Sequence, residues 1–363
     1  MQVRRAIVAA TALFLGAALQ VAGGEEDAEQ KLGRFPRSQF VIEHDRFLAA
    51  TDPKTVAAAD AKHLWGQDEV FGVVLGERAR AYPITMLSYH HVVNDRIGSQ
   101  AIAVTYCVIC SSGVAYDPRV DGRRLTFGFE GIWQGVAVLY DHQTKSLWMH
   151  LTGECFAGKL KGRTLKRLGT GRHTNWTDWR RHHAATDVLA PDPRYVGRKD
   201  DRGYFARAGC RSGSTYFPDY FLGTIQHRDA RLRRHDLVYG VVAGGRARAY
   251  PFLDLMLTEG VVEETFGGLE VTVWYDRRTR SAAAFDRKRG EKRLTFRVRP
   301  DGLREDLQTR SRWNMEGICV DGPSKGARLV SLRGVMAEWY GWAAHQPATE
   351  LWKPEAPEPP GKR

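Results

Sequence analysis

The sequence predicts an α+β fold in which β-strands predominate, built as a tandem duplication of one domain with its copies packed around a pseudo-twofold axis. Three observations predict it. The 363 residues are 43% hydrophobic and 26% charged, which excludes a disordered chain and is enough for about two domains. Residues 72–83 recur at 240–251 with ten identities in twelve. Short apolar runs also alternate with turn-forming residues, which is typical of strands.

The first 23 residues predict a cleaved secretory signal. Arg4 and Arg5 precede an apolar run at 6–22, and the acidic pair Glu25 and Glu26 follows it. The run is short for a membrane span, and no later stretch approaches 18 apolar residues. We therefore expect an exported protein, periplasmic or extracellular, that is soluble once the signal is removed.

The two copies set the remaining domain boundaries. The match beyond residue 83 continues in order, for example from Asp141 and Trp148 to Asp306 and Trp313. The predicted order is a signal peptide at 1–23, an N-terminal extension at 24–65, a first repeat at 66–190, a packed connection at 191–235, a second and degenerate repeat at 236–353, and a disordered tail at 354–363.

Local patterns predict the elements of the first repeat. A turn at 75–77 divides two strand-like halves, which indicates a hairpin. Residues 83–91 predict a short helix because Pro83 suits a first helical turn. The expected strands are 101–106, 113–116 and 125–129. Trp176, Trp179 and His183 lie at helical spacing, which predicts a second helix with its aromatic rings on the core.

The net charge of +12 raises the possibility of an anionic partner. It falls to +10 without Arg4 and Arg5. Many of the basic residues lie between 159 and 234 and include Lys159, Lys161, Arg163, Lys166, Arg167, Arg231, Arg233 and Arg234. Because the sequence contains no nucleic-acid-binding motif, we expect no nucleic acid partner and a solvated basic surface, with weak contact to an anionic membrane or a cell-wall polymer as an alternative.

The reactive side chains occur in the first copy only. Cys107 and Cys110 stand where the second copy has Asp276 and Thr279. His90 and His91 are replaced there by Glu259 and Gly260, and Asn94 and Asp95 by Glu263 and Glu264. Residues that both copies keep serve the fold, so these differences indicate a functional site in the first copy.

The Cys-x-x-Cys spacing of Cys107 and Cys110 has three interpretations. In a metal site the two thiolates project from a turn between strands, His90 supplies an imidazole, and Asn94 or Asp95 supports the ligands by hydrogen bonding. Sulfur with imidazole suits copper or zinc. In a redox site the thiols form a reversible disulfide. In the third, they are a structural disulfide or two buried thiols.

The other cysteines and histidines leave alternatives open. Cys155 and Cys319 are equivalent positions that either bridge the copies or are small buried residues. Cys210 is either free or a further ligand. Three histidines without a counterpart in the second copy could approach the cysteine pair, and these are His142, His150 and His173.

Several ordered motifs resemble the exported family catalogued as domain of unknown function 3179. They are ARAYPITMLSYHHVVND, VTYCVICSSGVAYD, LTFGFEG and LYDHQTKSLWMHLTGE, within residues 66–190. By motif, the resemblance assigns the family's conserved positions to His90, Asn94, Asp95, Cys107, Cys110, Asp141, Thr144, Ser146 and Trp148. The sequence departs from the family pattern at His91, Val108 and Ser111, where glutamate, proline and glycine are usual.

We therefore expect an exported metal-binding protein that holds copper or zinc with Cys107, Cys110 and His90 and acts in metal delivery or sensing. One alternative is a periplasmic thiol–disulfide protein that uses Cys107 and Cys110. The other is a cell-surface binding module without enzymatic activity. The sequence leaves open whether the protein is an enzyme.

Overall fold

The computed structural model describes residues 40–168, 171–193 and 219–354. Five predictions lie outside these ranges in whole or in part: the signal peptide, the beginning of the N-terminal extension at 24–65, most of the connection at 191–235, Cys210 and the C-terminal tail. In the described part, strands predominate and the helices are short, so the prediction of a mainly β, α+β fold is confirmed.

The first half consists of many short strands and two helices. Its elements are β1 (Phe40–Ile42), β2 (Ala50–Thr51), β3 (Thr55–Ala57), a 3-10 turn (Ala58–Asp60), β4 (Glu69–Leu75), β5 (Arg78–Pro83), α1 (Ile84–His90), β6 (Val92–Ile97), β7 (Gln100–Cys107), β8 (Ser112–Asp117), β9 (Arg119–Val120), β10 (Arg123–Arg124), β11 (Phe127–Trp133), β12 (Val136–Asp141), β13 (Leu147–Met149), β14 (Cys155–Ala157), β15 (Lys166–Arg167), β16 (Arg172–Asn175), α2 (Trp176–His182) and β17 (Asp187–Leu189).

The short helix α3 (Asp219–Leu222) precedes the second half. The elements of that half are β18 (Leu237–Ala243), β19 (Arg246–Pro251), α4 (Phe252–Leu255), β20 (Val261–Phe266), β21 (Leu269–Asp276), β22 (Ser281–Asp286), β23 (Lys288–Arg289), β24 (Lys292–Arg293), β25 (Phe296–Val298), β26 (Arg304–Asp306), β27 (Arg312–Trp313), β28 (Cys319–Asp321), β29 (Val330–Ser331), β30 (Arg333–Glu338), α5 (Trp339–His345) and β31 (Glu350–Leu351).

Within the described ranges, each half forms three larger sheets and a small hairpin. The strand orders in the first half are β16-β4-β5-β17-β3, β15-β8-β7-β6-β2 and β1-β11-β12-β13-β14, with the hairpin β9-β10. Those in the second half are β30-β18-β19-β31, β20-β21-β22-β29 and β25-β26-β27-β28, with the hairpin β23-β24. Neighbouring strands are antiparallel except in the pairs β2–β6, β5–β17 and β19–β31.

The local predictions agree with the elements of the first half. The predicted turn at 75–77 lies between β4 and β5, where Gly76 has a φ of +60° that favours glycine. The predicted helices correspond to α1 and α2, and the side chain of Asn175 caps α2 by accepting a hydrogen bond from the backbone N–H of Asp178. Trp176 and Trp179 are buried as expected.

The cysteine pair faces the core between two sheets of the first half. Because side chains alternate along a strand, Thr105 and Cys107 lie on the same face of β7. Strands β11 and β12 of the neighbouring sheet pack against β6 and β7. Cys107 therefore shares a hydrophobic cluster with Phe129 and Trp148 from that sheet.

The two halves are in intimate contact. Strand β8 of the first half contacts β30 of the second, and β22 of the second contacts β16 of the first. At the second contact the buried Arg172 donates hydrogen bonds to Glu316, at 2.7 Å, and to Asp178 within its own half, at 2.9 Å. A buried ion network thus joins the halves.

Candidate functional site

The candidate site is a tight turn between β7 and β8. Cys107 ends β7, Cys110 lies in the turn, and Ser112 begins β8 and pairs with Cys107 across the ladder. Ser111 adopts a left-handed φ of 53°. This is the position where glycine is usual in the resembled family, so the backbone keeps a conformation that glycine would adopt at lower cost. The thiols of Cys107 and Cys110 are both buried and free.

A chain of hydrogen bonds leads from Cys110 into the core. The Sγ atom of Cys110 lies 2.9 Å from Oγ of Ser112, and this hydroxyl lies 2.8 Å from Nε2 of His150. Nδ1 of His150 lies 2.8 Å from Oγ1 of Thr105, and that hydroxyl donates to the carbonyl of Val114 at 3.4 Å.

The last hydrogen bond of this chain, from Thr105 to a carbonyl, determines which atom is the donor in each of the other bonds. Because the Thr105 hydroxyl donates to a carbonyl, it accepts from Nδ1–H of His150, which leaves Nε2 as the acceptor for Ser112. The Ser112 hydroxyl then accepts from the Cys110 thiol. The arrangement resembles a nucleophile, a relay and a base, and it gives the Cys110 proton a path to a neutral imidazole.

Burial keeps the groups of the chain neutral. It raises the pKa of the Cys110 thiol well above its usual value, and the hydrogen bond and charge interaction with Cys107 raise it further, while Ser112 opposes the shift. Burial also lowers the pKa of His150 to about 3, with a contribution from the positive charge of Arg167. At neutral pH the chain therefore contains a thiol and an uncharged imidazole.

The second half covers the turn. The backbone N–H of Glu338 donates to the carbonyl of Cys110 at 2.9 Å, and Ser111 donates to Oε1 of Glu338 at 3.1 Å. The hydroxyl of Tyr340 donates to the carbonyl of Ile109 at 2.6 Å. A Cβ atom at Gly341 would lie 3.2 Å from Cβ of Cys110, so the absence of a side chain there permits the close approach.

His90 is buried at the end of α1, where its Nδ1 lies 2.7 Å from the carbonyl of Leu48. The bond to this carbonyl assigns the proton to Nδ1 and leaves Nε2 as the basic nitrogen. In the described parts of the chain, no three or more histidine, cysteine, aspartate and glutamate side chains are grouped so that they could hold a metal ion. The structure thus orients His90 but does not gather it with Cys107 and Cys110 into a three-ligand cluster.

The two supporting residues of the predicted metal site have structural partners. Asn94 accepts from the backbone N–H of Phe127 at 2.8 Å and donates to its carbonyl at 2.9 Å, which ties β6 to β11. Asp95 accepts from Arg80 at 2.7 Å and from the hydroxyl of Tyr82 at 2.8 Å. These bonds compensate the burial of both side chains.

His91 is the buried neighbour of His90 and has a different environment. Its ring contacts those of Phe47 and Phe129, with centroids 4.1 and 4.9 Å apart. Its Nδ1 has no hydrogen-bond partner among the residues that the structure describes. Burial lowers the pKa of His91 to about 4, so the imidazole is neutral.

Cys155 and Cys319 are buried and free, and no bridge joins them. Each thiol donates to a backbone carbonyl two residues later, Ala157 and Asp321 respectively, at 3.3 Å. The alternative of an inter-domain disulfide is therefore not realised in this structure, and the two residues act as small buried side chains.

Sequence reasoning named His150 as one of three candidates but missed its partners. Strand alternation would have placed Thr105 beside Cys107, because both face the same side of β7. No local pattern distinguishes Ser112 as a relay. No sequence pattern indicates the contact of Glu338 with the turn, because the packing of the two halves brings it there.

Replacing His150 by glutamine should make the free energy of unfolding less sensitive to a decrease in pH. The folded protein holds His150 neutral, with a pKa of about 3, whereas the unfolded chain protonates it below about pH 6.5. The unfolded state therefore binds the extra proton, and His150 lowers stability by about 1.4 kcal/mol for each pH unit below 6.5. Arg167, His91 and His345 are the charged or titratable groups that add to this shift.

Urea unfolding between pH 7 and pH 4 measures this effect. Below pH 6.5, the free energy of unfolding of the wild type should fall more steeply with decreasing pH than that of the glutamine variant. The difference in slope should correspond to one bound proton. An exposed histidine, His44, provides the matched control when it is replaced by glutamine. An unchanged slope in the His150 variant would show that the imidazole is not held neutral.

Fold and site together define a β-rich protein of two halves that pack against each other. Its buried dithiol lies in the first half and is covered by the second. The chain belongs to the family described as protein of unknown function DUF3179, whose model matches residues 44–349. No curated protein matches the chain, and no solved structure does. Across the described ranges, none of the helices has the length and apolar character needed to cross a membrane.

Proposed function

We propose that the protein is a thiol–disulfide redox protein whose working group is the pair Cys107 and Cys110. The observation that carries this proposal is the hydrogen-bonded chain from Cys110 through Ser112 to His150. Cys107 and Cys110 lie three residues apart at the turn between β7 and β8, and Cys107 raises the pKa of the Cys110 thiol through a hydrogen bond and a charge interaction. A dithiol must release two protons when it is oxidised, and this chain of hydrogen bonds orients the thiol proton of Cys110.

The proposed reaction is exchange with a small organic disulfide. One thiolate of the pair attacks a sulfur of that disulfide, which breaks the S–S bond and releases one small thiolate. The second cysteine then attacks the mixed disulfide, which closes the Cys107–Cys110 bond and releases the second small thiolate. The two protons of the dithiol end on the two released thiolates, and the hydrogen bond from Cys110 to Ser112 orients the thiol from which one of them departs.

The pair should be moderately reducing. Its reduced form is not stabilised as a thiolate, because burial raises the pKa of Cys110. A strong oxidant requires the opposite shift. We expect a reduction potential between about −230 and −300 mV, which equilibration of the full chain with glutathione or dithiothreitol buffers measures by thiol counting. A potential well below about −300 mV marks a structural bridge, and a pair that never oxidises overturns the proposal.

The second candidate function is binding of copper or zinc by Cys107, Cys110 and His90. The observation that favours it is the bond of His90 Nδ1 to the carbonyl of Leu48, because a metal-binding histidine usually engages its other nitrogen in this way. Two thiols and an imidazole suit either metal. Loading would require the thiols to deprotonate, with Asn94 and Asp95 holding β6 in place beside the site.

Elemental analysis of the native protein separates the two functions. A metal protein contains about one copper or zinc ion per chain, and this content falls when Cys107 is replaced by serine. A redox protein contains no stoichiometric metal, and its count of free thiols falls by two on oxidation and rises by two on reduction. Counting metal and free thiols on the same sample decides between them.

We also infer that the halves are copies of one domain related by a pseudo-twofold axis. The strand orders of their sheets correspond, and the contacts are reciprocal, because β22 and β16 are the counterparts of β8 and β30. Hydrogen-bonded networks recur as well, one buried and one partly buried: Arg80, Tyr82 and Asp95 in the first half and Arg248, Tyr250 and Glu264 in the second. An experimental structure whose halves fail to superpose would contradict this inference.

The proposed place of action is outside the cytoplasm. The basic and apolar pattern at residues 1–23 supports export, and an oxidising compartment gives a thiol pair the opportunity to cycle. N-terminal sequencing of the mature protein decides it, because an exported chain would lack the signal peptide. A protein that retains Met1 in the cell contradicts export.

A further inference from the structure

A large cleft lies where the two halves meet. Its volume is about 720 Å³, within the range of about 300–1,000 Å³ that small-molecule sites occupy. Strands β8, β15 and β16 contribute residues from the first half, and β22 and β29 from the second. The cleft is thus a feature of the assembled pair of halves, and neither the proposed redox reaction nor the proposed metal site uses it.

Three cations of the cleft form no ion pair with a carboxylate among the residues that the structure describes. Arg167 donates to the carbonyls of Gly334, at 2.9 Å, and Leu151. Arg328 donates to the carbonyl of Gly76 at 2.6 Å. Lys166 lies opposite Asp117 in the strand register, but Asp117 is engaged by Arg119 at 2.7 Å. Neutral carbonyls satisfy hydrogen bonds without cancelling charge, so a positive potential remains in the cleft.

A fourth cation contributes to the positive potential of the cleft. Arg172 also lines the cleft and is almost fully buried. Its Nε and Nη1 atoms bind Glu316 and Asp178, whereas its Nη2 atom is buried without a hydrogen-bond partner among the described residues. A buried guanidinium with an unsatisfied donor is costly, and an anionic acceptor would relieve that cost.

Part of the remaining wall is apolar, beside the polar side chains of Thr152, Thr164 and Ser331. Phe71, Leu168, Leu332 and Tyr239 line the cleft together with the cations. This combination suits a ligand with a charged end and an apolar body, because apolar walls supply binding energy and the charged groups fix the orientation.

We propose that the cleft between the halves is a binding site for a small organic anion. Its phosphate or carboxylate group binds Lys166 and Arg328, and its apolar body lies against Phe71 and Leu332. Arg167, on the opposite face of β15, adds positive charge to the cleft without contacting the anion. The volume of about 720 Å³ is sufficient for such a molecule. Lys166 and Arg167, part of the basic run in the sequence, thereby gain a specific role.

Calorimetric titration of the full chain tests this site with four probes. Phenyl phosphate and benzoate carry a ring with an anionic group, inorganic phosphate carries the anion alone, and phenol carries the ring alone. We expect phenyl phosphate or benzoate to bind most tightly, and their comparison identifies which anionic group the cleft prefers. Phenol should not bind measurably. Affinity should also fall as salt is added, because part of the attraction is electrostatic.

Paired variants locate the binding. Lys166→Gln with Arg328→Gln removes two charges of the cleft at exposed positions, so the fold should persist. We expect this double variant to bind phenyl phosphate or benzoate, whichever the wild type binds more tightly, with an affinity lower by about tenfold or more. A tenfold loss corresponds to about 1.4 kcal/mol. The control pair Lys159→Gln with Lys292→Gln removes the same charge from exposed sites outside the cleft and should change affinity less than twofold.

Three results would overturn the proposal. The first is that neither ring-bearing anion binds at millimolar concentration. The second is that both variant pairs weaken binding equally, since the charge would then act only through the general surface. The third is binding to phosphatidylglycerol vesicles without binding of the soluble probes, which would assign the cations to a membrane surface.

Discussion

Replacing Arg172 by alanine is expected to destabilise the protein by about 3–5 kcal/mol, a large part of the 5–15 kcal/mol that stabilises a typical domain. The guanidinium is the buried partner of two buried carboxylates, Glu316 from the second half and Asp178 from the first. Without it, two negative charges remain in an environment that cannot solvate them. Urea unfolding of the full chain at pH 7 measures the change.

Two variants control this prediction. Arg96→Ala removes an exposed guanidinium whose one hydrogen-bond partner among the described residues is the carbonyl of Ser99, and it should change stability by less than about 0.5 kcal/mol. The double variant Arg172→Ala with Glu316→Gln removes one of the two stranded charges, so it should recover part of the loss. A loss below about 1 kcal/mol for Arg172→Ala alone would mean that the network contributes little.

The same network should make the protein sensitive to acid. Burial alone would raise the pKa of Glu316, but Arg172 and His183 lower it well below its usual value. The pKa of Asp178 is also lowered by Arg172 against the effect of burial. Stabilisation by these carboxylates is therefore complete above their ordinary pKa of about 4 and is lost as the pH falls below it.

Replacing Cys107 by serine is expected to abolish formation of the disulfide completely. A disulfide needs both sulfur atoms, and Cys110 would have no neighbouring thiol left among the described residues. In glutathione buffers of graded potential, the variant should show no pair of thiols that titrates together. Mass spectrometry after alkylation measures the oxidised fraction.

Cys155→Ser is the matched control for this experiment. Cys155 is equally buried, but its thiol donates to the carbonyl of Ala157, away from the turn. Its replacement should leave the paired titration of Cys107 and Cys110 unchanged. If Cys107→Ser keeps an oxidisable pair, or if Cys155→Ser removes it, the redox site has been assigned to the wrong cysteines.

Much of the secondary structure could be predicted because its signals are local. The turn at Gly76 follows from a residue that tolerates positive φ, and α2 follows from the spacing of Trp176 and Trp179 and from the cap at Asn175. The boundaries were less certain, since the strand expected at 125–129 begins at Phe127 and continues to Trp133. A bulge at 129–131 lengthens that strand in a way that no local pattern indicates.

The candidate site could be predicted only in part. Comparing residues 66–190 with the similar sequence at 236–353 indicated Cys107, Cys110 and His90, because the later segment has other residue types at the matching positions. The same comparison treated Asn94 and Asp95 as supports of a metal, whereas the structure ties them to Phe127, Arg80 and Tyr82. Cross-strand partners of this kind depend on register, which the sequence does not state.

The sequence by itself determined the strands, the short helices and the position of the thiol pair, because alternation, turn residues and motif spacing act over a few residues. Only the tertiary structure decided what surrounds that pair. Ser112 meets His150 across 38 positions of the chain, and Ser111 meets Glu338 across 227. Contacts at such separations arise when buried polar groups must find partners in a packed core, so sheet packing and the docking of the two halves selected them.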